Sequence, residues 1–142
     1  DEAFDDFIFD VKDVEEKYYL SEKVAKYVLA GGTKNFKTST ETDLDVARPL
    51  LQSMHKMHRA GVDNYVTHNK GRIRKLTPKE CWRLMGFDDN DFLKAKKVCS
   101  ETKLYQQAGN SIVVNVLMAI FRELFIPKKT RSEWLDELLG GA

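Results

Sequence analysis

This sequence predicts an α+β fold, a small twisted antiparallel sheet flanked by helices over residues 21–30, 78–85, 112–126 and 131–139. Three observations predict it. Tyr65-Val66-Thr67-His68 and Arg72-Ile73-Arg74-Lys75-Leu76 are short runs of extended character on either side of Asn69-Lys70-Gly71, a hairpin signature. Thr77-Pro78-Lys79-Glu80 follows directly, with a capping threonine, a proline at the first helical position and a glutamate that closes a capping box. Residues 112–126 are apolar on nearly every side except Asn115, Arg122 and Glu123, and they stop at Pro127, so this should be the most buried helix.

The remaining elements follow in chain order. Residues 1–17 are acidic with interleaved Phe4, Phe7, Ile8, Phe9, Val11 and Val14, begin without methionine, and read as a segment of something longer. Ser21 can cap a helix in which Val24, Tyr27 and Val28 share a face, with Gly31 and Gly32 as a left-handed stop. Residues 33–47 are polar and threonine-rich without helical period, hence loop or irregular strand, and Arg48-Pro49 favours extended backbone. In the hairpin, alternation puts Arg72 and Arg74 on one face. Gly86 should end the helix that Thr77 opens. A second capping box, Thr130 to Glu133, opens an amphipathic tail with Trp134, Leu135, Leu138 and Leu139, closed by Gly140 and Gly141.

A chain of 142 residues suits one domain, and its composition is that of a folding sequence. No apolar run approaches the roughly 20 residues of a membrane span, so a soluble cytoplasmic protein with no membrane partner is expected. Cys81 and Cys99 are too few for a disulfide framework and should be reduced thiols. The net charge of +1 hides a segregation: residues 1–22 carry −7, residues 48–83 carry +7, and all three histidines lie in the basic stretch. That stretch is a plausible polyanion-facing surface, although a solvated charged face reads equally well from charge alone. His55-x-x-His58, with His68 and Cys81, lacks a second paired ligand set, which argues against zinc.

Two blocks carry the chemistry. Arg74-Lys75-Leu76-Thr77-Pro78-Lys79-Glu80-Cys81-Trp82-Arg83-Leu84-Met85-Gly86-Phe87 and Tyr105-Gln106-Gln107-Ala108-Gly109-Asn110-Ser111-Ile112-Val113-Val114-Asn115-Val116 resemble, in this order, the last two motifs of DNA (cytosine-5) methyltransferases. The resemblance covers roughly residues 72–125 and is most specific in the joint occurrence of the two blocks. Tyr18-Tyr19-Leu20-Ser21-Glu22-Lys23 also looks like the segment entering the recognition region of phage and bacterial members. Two departures stand out: the family's proline after Gly-Phe is Asp88, which could loosen the turn, and the arginine before Glu80 is Lys79, which loses a bidentate donor.

The resemblance implies the C-terminal portion of such an enzyme. The family's Pro-Cys nucleophile, Glu-Asn-Val segment and glycine-rich cofactor loop do not occur in this sequence, so no catalytic residue is assigned and the chain alone should be inactive. The cysteine chemistry and the rest of the S-adenosylmethionine pocket would come from a catalytic N-terminal half or separate subunit. In the family the Gly-Asn-Ser turn lies beside the methionine part of the cofactor, which implies cofactor contacts at Gly109, Asn110, Ser111 and Ile112. From the residues alone the plainer reading is that Ser111 is a helix N-cap and Gly109 a helix stop.

The segment between the first helix and the arginine-rich strand would recognise double-stranded DNA, with Arg48, Lys56, Arg59, Lys70, Arg72 and Arg74 as phosphate or guanine contacts and Gln52 or Asn64 as adenine readers. Family arginines at the positions of Arg74 and Arg83 more often hold the recognition region to the core than touch bases. The expected organisation is a lead-in over 1–20, a target-recognition region over 21–76, the two motifs with the apolar helix over 77–126, and a tail over 127–142. An isolated fragment should cover its apolar helix by forming a homodimer. The alternatives are a DNA-binding module that no longer takes part in methylation, and a pure interaction domain.

Overall fold

A computed structural model describes residues 14–56, 58–68 and 70–125. The acidic stretch up to residue 13 and the expected helix at 131–139 lie outside the described residues. A single 3-10 turn, Glu16–Tyr18, precedes α1 (Glu22–Leu29), β1 (Gly32–Thr33), β2 (Phe36–Lys37), β3 (Tyr65–His68), β4 (Arg72–Lys75), α2 (Pro78–Leu84), α3 (Asp89–Lys96), α4 (Glu101–Asn110) and α5 (Val114–Phe125). β1 pairs with β2 and β3 with β4, each pair antiparallel. The fold is α+β. The chain divides into a unit ending at Ser111 and a second beginning at Ile112.

The strongest local signals of the sequence form as expected. β3 and β4 register Tyr65 with Lys75 and His68 with Arg72, and the connection carries Lys70 at φ 64° and Gly71 at φ 82°. In α2 the Thr77 hydroxyl accepts from Glu80 N while the Glu80 carboxylate accepts from Thr77 N, and Pro78 opens the helix. Its end explains why glycine is followed by phenylalanine. Gly86 turns left-handed at φ 83°, its N–H donates to Arg83 O, and Phe87 N donates to Trp82 O, closing a Schellman motif. The hydrophobic contact that completes the motif is the Trp82–Phe87 ring pair, 5.1 Å between centroids.

Other elements differ from the sequence expectation, each for a local reason. α1 ends with extended backbone at Ala30 (ψ 139°), so the glycine pair is no left-handed stop; Gly32 enters β1 instead. Within α1, Val28 is fully buried while Tyr27 stays 67% exposed, so the face is narrower than the spacing suggested. The sequence pattern does not predict α3: its sequence has little amphipathic period, and its signal is the cap, Asp88 accepting from Asp91 N at 2.8 Å. The residue that replaces the family's proline therefore starts a helix. α4 likewise begins at a cap, Ser100, ahead of the motif it carries.

Among the described residues, two groups of side chains pack inside the first unit. Leu20, Val28 and Tyr65 make one, with Val24, Ala25 and Ile73 against them. In the other, Trp82 Nε1 donates to Leu104 O at 3.0 Å and the buried Tyr105 hydroxyl donates to Leu76 O at 2.6 Å, joining α2, α4 and the end of the hairpin. Both polar groups on these aromatic rings are thereby satisfied inside the core.

α5 contradicts the expectation of deepest burial, for none of its residues is buried. Ile112, Val116, Met118, Ile120, Phe121, Leu124 and Phe125 are all exposed. Apolar character around a helix states what the helix must be covered by; it does not supply the cover. An 18-residue window within Glu101–Phe125 reaches a mean hydropathy of 1.3, the composition of a membrane span. Extended backbone at Ser111 (ψ 165°) breaks that stretch into helices of 10 and 12 residues, each short of the roughly 20 a span requires.

Candidate functional site

The first block is organised around one buried ion pair. Arg74 Nη1 and Nη2 donate to Glu80 Oε2 and Oε1 at 2.9 and 2.8 Å, and Thr77 N donates to the same carboxylate at 2.7 Å. Arg74 is 1% and Glu80 0% exposed. The strand thus delivers a guanidinium to the carboxylate that already caps α2, so the hairpin and helix are locked by the same side chain. The main chain of Arg74 also bridges Tyr19.

Lys79 and Arg83 converge on Asp89 across the turn from α2 to α3. Arg83 Nε and Nη2 donate to its two oxygens, both at 2.8 Å, and Lys79 Nζ lies 3.2 Å away. Hydrogen bonds from Arg83 foremost, with Lys79 adding to them, hold the Asp89 carboxyl down at about 2, from an ordinary 3.8. A depressed folded-state value contributes stability above pH 3.8 that is lost as pH falls toward 2. Because Asp89 is 42% exposed, water screens the pair and the contribution is small. Arg83→Gln should move the Asp89 titration back toward 3.8, read by NMR, and flatten the acid limb of the stability curve in that window.

The second block begins on α4, and its Gly-Asn-Ser part differs from the turn expected of it. Gly109 and Asn110 are the last residues of the helix, and Ser111 is its C-cap, with N–H bonded to Gln107 O and Ala108 O and Oγ donating to Ala108 O at 2.8 Å. Ser111 is therefore not the N-cap of a following helix, and its N–H is not free for a ligand. Gly109 is not a helix stop but a contact surface: a Cβ there would lie 2.2 Å from Gln52 N and 2.3 Å from Leu51 C. The 49–54 segment thus packs against the end of α4, and beside it Pro49, Leu50, Met54, His58, Cys81 and Tyr105 line a cavity of about 20 Å³, room for one water. Asn110 remains exposed and Ser111 half-buried.

The expected DNA contacts divide sharply. Arg74 is withdrawn from that set, since its guanidinium is enclosed and its fork is filled by Glu80. Arg48 Nη1 donates to Gly61 O at 2.9 Å and Nη2 to Ser39 O, which makes it a staple across loops. Asn64 is engaged too, its amide accepting from Arg48 N at 2.8 Å and donating to Arg48 O at 2.9 Å. Arg59 binds Asp63 at 2.7 Å and Ser53 Oγ at 3.1 Å. Lys56, Lys70, Arg72 and Gln52 are the members at the surface. Sequence reasoning could have paired Arg59 with Asp63 from the i,i+4 spacing, but nothing local marks Arg48 or Arg74 as enclosed.

Burial pushes the Cys81 thiol far above its ordinary range, so it has no nucleophilic character, and its Sγ lies 3.9 Å from Met54 Sδ.

The family profile of the C-5 cytosine-specific DNA methylase matches residues 3–126. The chain belongs to that family. Its similarity to the orphan methyltransferase M.Rho11sI of Bacillus phage rho11s is 64% identity over 56 residues, 39% of this chain and 11% of that protein. To the type II methyltransferase M.HgiCI of Herpetosiphon aurantiacus it is 33% over 109 residues, 77% of this chain and 24% of that protein. Among solved structures, the S. pombe Dnmt2 methyltransferase superposes with a TM-score of 0.61 over 84% of this chain and 42% of that one, at 17% identity, a likeness of fold. This member of the C-5 methylase family thus spans a minor part of the length of the relatives it matches. The first block runs through α2 and the second begins on α4, and these two helices are packed on one another through Trp82 and Leu104.

Proposed function

We propose that this chain is the C-terminal target-recognition and cofactor-edge portion of a DNA (cytosine-5) methyltransferase, which moves a methyl group from S-adenosylmethionine to C5 of cytosine in DNA. The observation that supports the reading is that both C-terminal motif blocks of the family occur in order, and that α4, which opens the second block, packs on α2 of the first and ends at the exposed Asn110. Residues 21–76 are assigned to target recognition and 77–126 to the motif framework. The covalent step, thiolate addition to C6 of an extruded cytosine, falls to a nucleophile that this sequence does not include.

The residues present fit an edge of the cofactor rather than its whole pocket. Asn110 offers an exposed amide, able to donate and accept. The Ser111 hydroxyl hydrogen is committed to Ala108 O, so only its lone pairs remain on offer. Such a pair suits the ammonium and carboxylate of an amino-acid-bearing ligand, while Gly109 serves packing. The methyl donor supplies the electrophilic carbon; these residues would orient its methionine end. As a bacterial or phage-encoded protein acting on DNA, it would work in the cytoplasm. The apolar surface of α5 would be covered by the catalytic part, or by a second copy when the chain is isolated.

The test is complementation. This chain alone should transfer no methyl to duplex DNA, and adding the family's Pro-Cys-bearing part should restore transfer. If DNA is retained but no transfer returns, the chain is a binding module outside methylation. Absence of salt-dependent DNA retention would leave only an interaction domain.

A further inference from the structure

The turn end of the β3–β4 hairpin carries a solvent-exposed charged cluster separate from the buried Arg74–Glu80 pair. Arg72 stands opposite His68 in the ladder and lays its guanidinium over the Tyr19 ring, 4.2 Å from the centroid. The Tyr19 hydroxyl is 2.6 Å from His68 Nδ1. The Glu16 carboxylate meets the same guanidinium with both oxygens, Oε2 at 3.1 Å from Nη1 and Oε1 against Nη2. The pair is open to water, with Arg72 46% and Glu16 78% exposed. Lys70, at the hairpin turn, is also exposed.

A guanidinium held flat against a ring and bound fork-to-fork by two carboxylate oxygens presents the geometry that takes two oxygens of a phosphate diester. The ring fixes the plane of the fork, which lowers the ordering cost of binding an anion. An exposed ion pair of this kind is weak, whereas a backbone phosphate gains from counterion release along the polyanion. The segregation of charge gives the exchange its sign: Glu16 belongs to the −7 stretch and Arg72 to the +7 stretch.

Resting on the DNA-binding reading above, we propose that Arg72, braced by Tyr19, contacts a backbone phosphate of duplex DNA, and that Glu16 holds this position as an internal competitor until DNA displaces it. Arg72 and Glu16 are both at the surface, so neutral substitutions leave the core untouched.

The experiment is fluorescence anisotropy of the purified 142-residue chain with a labelled duplex across a series of KCl concentrations. Glu16→Gln should tighten binding about two- to fivefold and leave the slope of log K against log [salt] nearly unchanged, because the same phosphate contact forms once DNA has displaced Glu16. Arg72→Gln in that background should remove the gain and make the slope shallower by about one. Glu22→Gln, which alters net charge equally but leaves the Arg72 pair intact, should tighten binding by less. If Glu16→Gln binds no tighter than Glu22→Gln while Arg72→Gln alone makes the slope shallower, Arg72 reaches DNA past Glu16; competition is then refuted and DNA binding stands. If Arg72→Gln has no effect in either background, the phosphate contact is refuted. Salt-independent or absent retention by every variant overturns the DNA-binding reading, and this proposal with it.

Discussion

Glu80→Ala is expected to destabilise the fold by about 3–5 kcal/mol, because it leaves the Arg74 guanidinium charged, enclosed and without its fork partner. It also removes the acceptor for Thr77 N, so α2 loses half of its capping box in the same step. Against a total stability of about 5–15 kcal/mol for a domain of this size, that is enough to populate the unfolded chain. Urea denaturation should show the midpoint fall with little change in slope. Arg74→Ala should cost a comparable amount. The double replacement Arg74→Met with Glu80→Leu should recover much of the loss, because a buried ion pair pays heavily for leaving water and an apolar pair of similar volume does not. Failure of the double variant to recover would mean that the pair does more than hold hairpin to helix.

Gly109→Ala should be the next most damaging substitution in the first unit, and its sign is diagnostic. At an exposed position inside a helix, glycine to alanine gains up to about 1 kcal/mol from helix propensity. Here the added Cβ would sit 2.2 Å from Gln52 N, against backbone that no rotamer change can clear. Overpacking of this kind costs about 1–3 kcal/mol and occasionally more, so the net effect should be destabilising. Hydrogen exchange in residues 49–54 should accelerate in the variant, since that segment must lift from α4. Asn110→Ala, one residue on and exposed, should leave stability nearly unchanged. A stable Gly109→Ala protein with native exchange in that segment would show that the close approach of the two backbones does not persist in solution.

The legibility of this chain follows the range of the interactions involved. The α2 start, its Gly86-Phe87 end and the β3–β4 hairpin are each written within a few residues, through a cap, a left-handed turn and a two-residue alternation. α3 is not legible in the sequence because its start is marked by the Asp88 cap alone and its apolar pattern is weak. Alternation puts Arg72 and Arg74 on one hairpin face, yet Arg72 is exposed and Arg74 enclosed. Of the proposed cofactor contacts, Asn110 kept the exposure a ligand needs, while Gly109 proved to be committed to Leu51 and Gln52, residues more than fifty positions earlier. The profile match from residue 3 to 126 extends well beyond the two blocks from which the family was legible.

By itself the sequence determined the class of fold, the order of the motif blocks, the caps and turns that start and stop α2, and the family to which those blocks belong. Only tertiary structure decided which cations are available: Arg74 is enclosed, Arg48 is spent on loop carbonyls, Arg59 is bound to Asp63, and Arg72 meets Glu16 at the surface. Caps, turns and alternation arise between neighbours in the chain, so a linear reading captures them. Which of these groups is enclosed, and which carboxylate within about 3 Å takes a guanidinium, depend on how the chain packs, even where the partner lies only four or six residues away as Asp63 and Glu80 do.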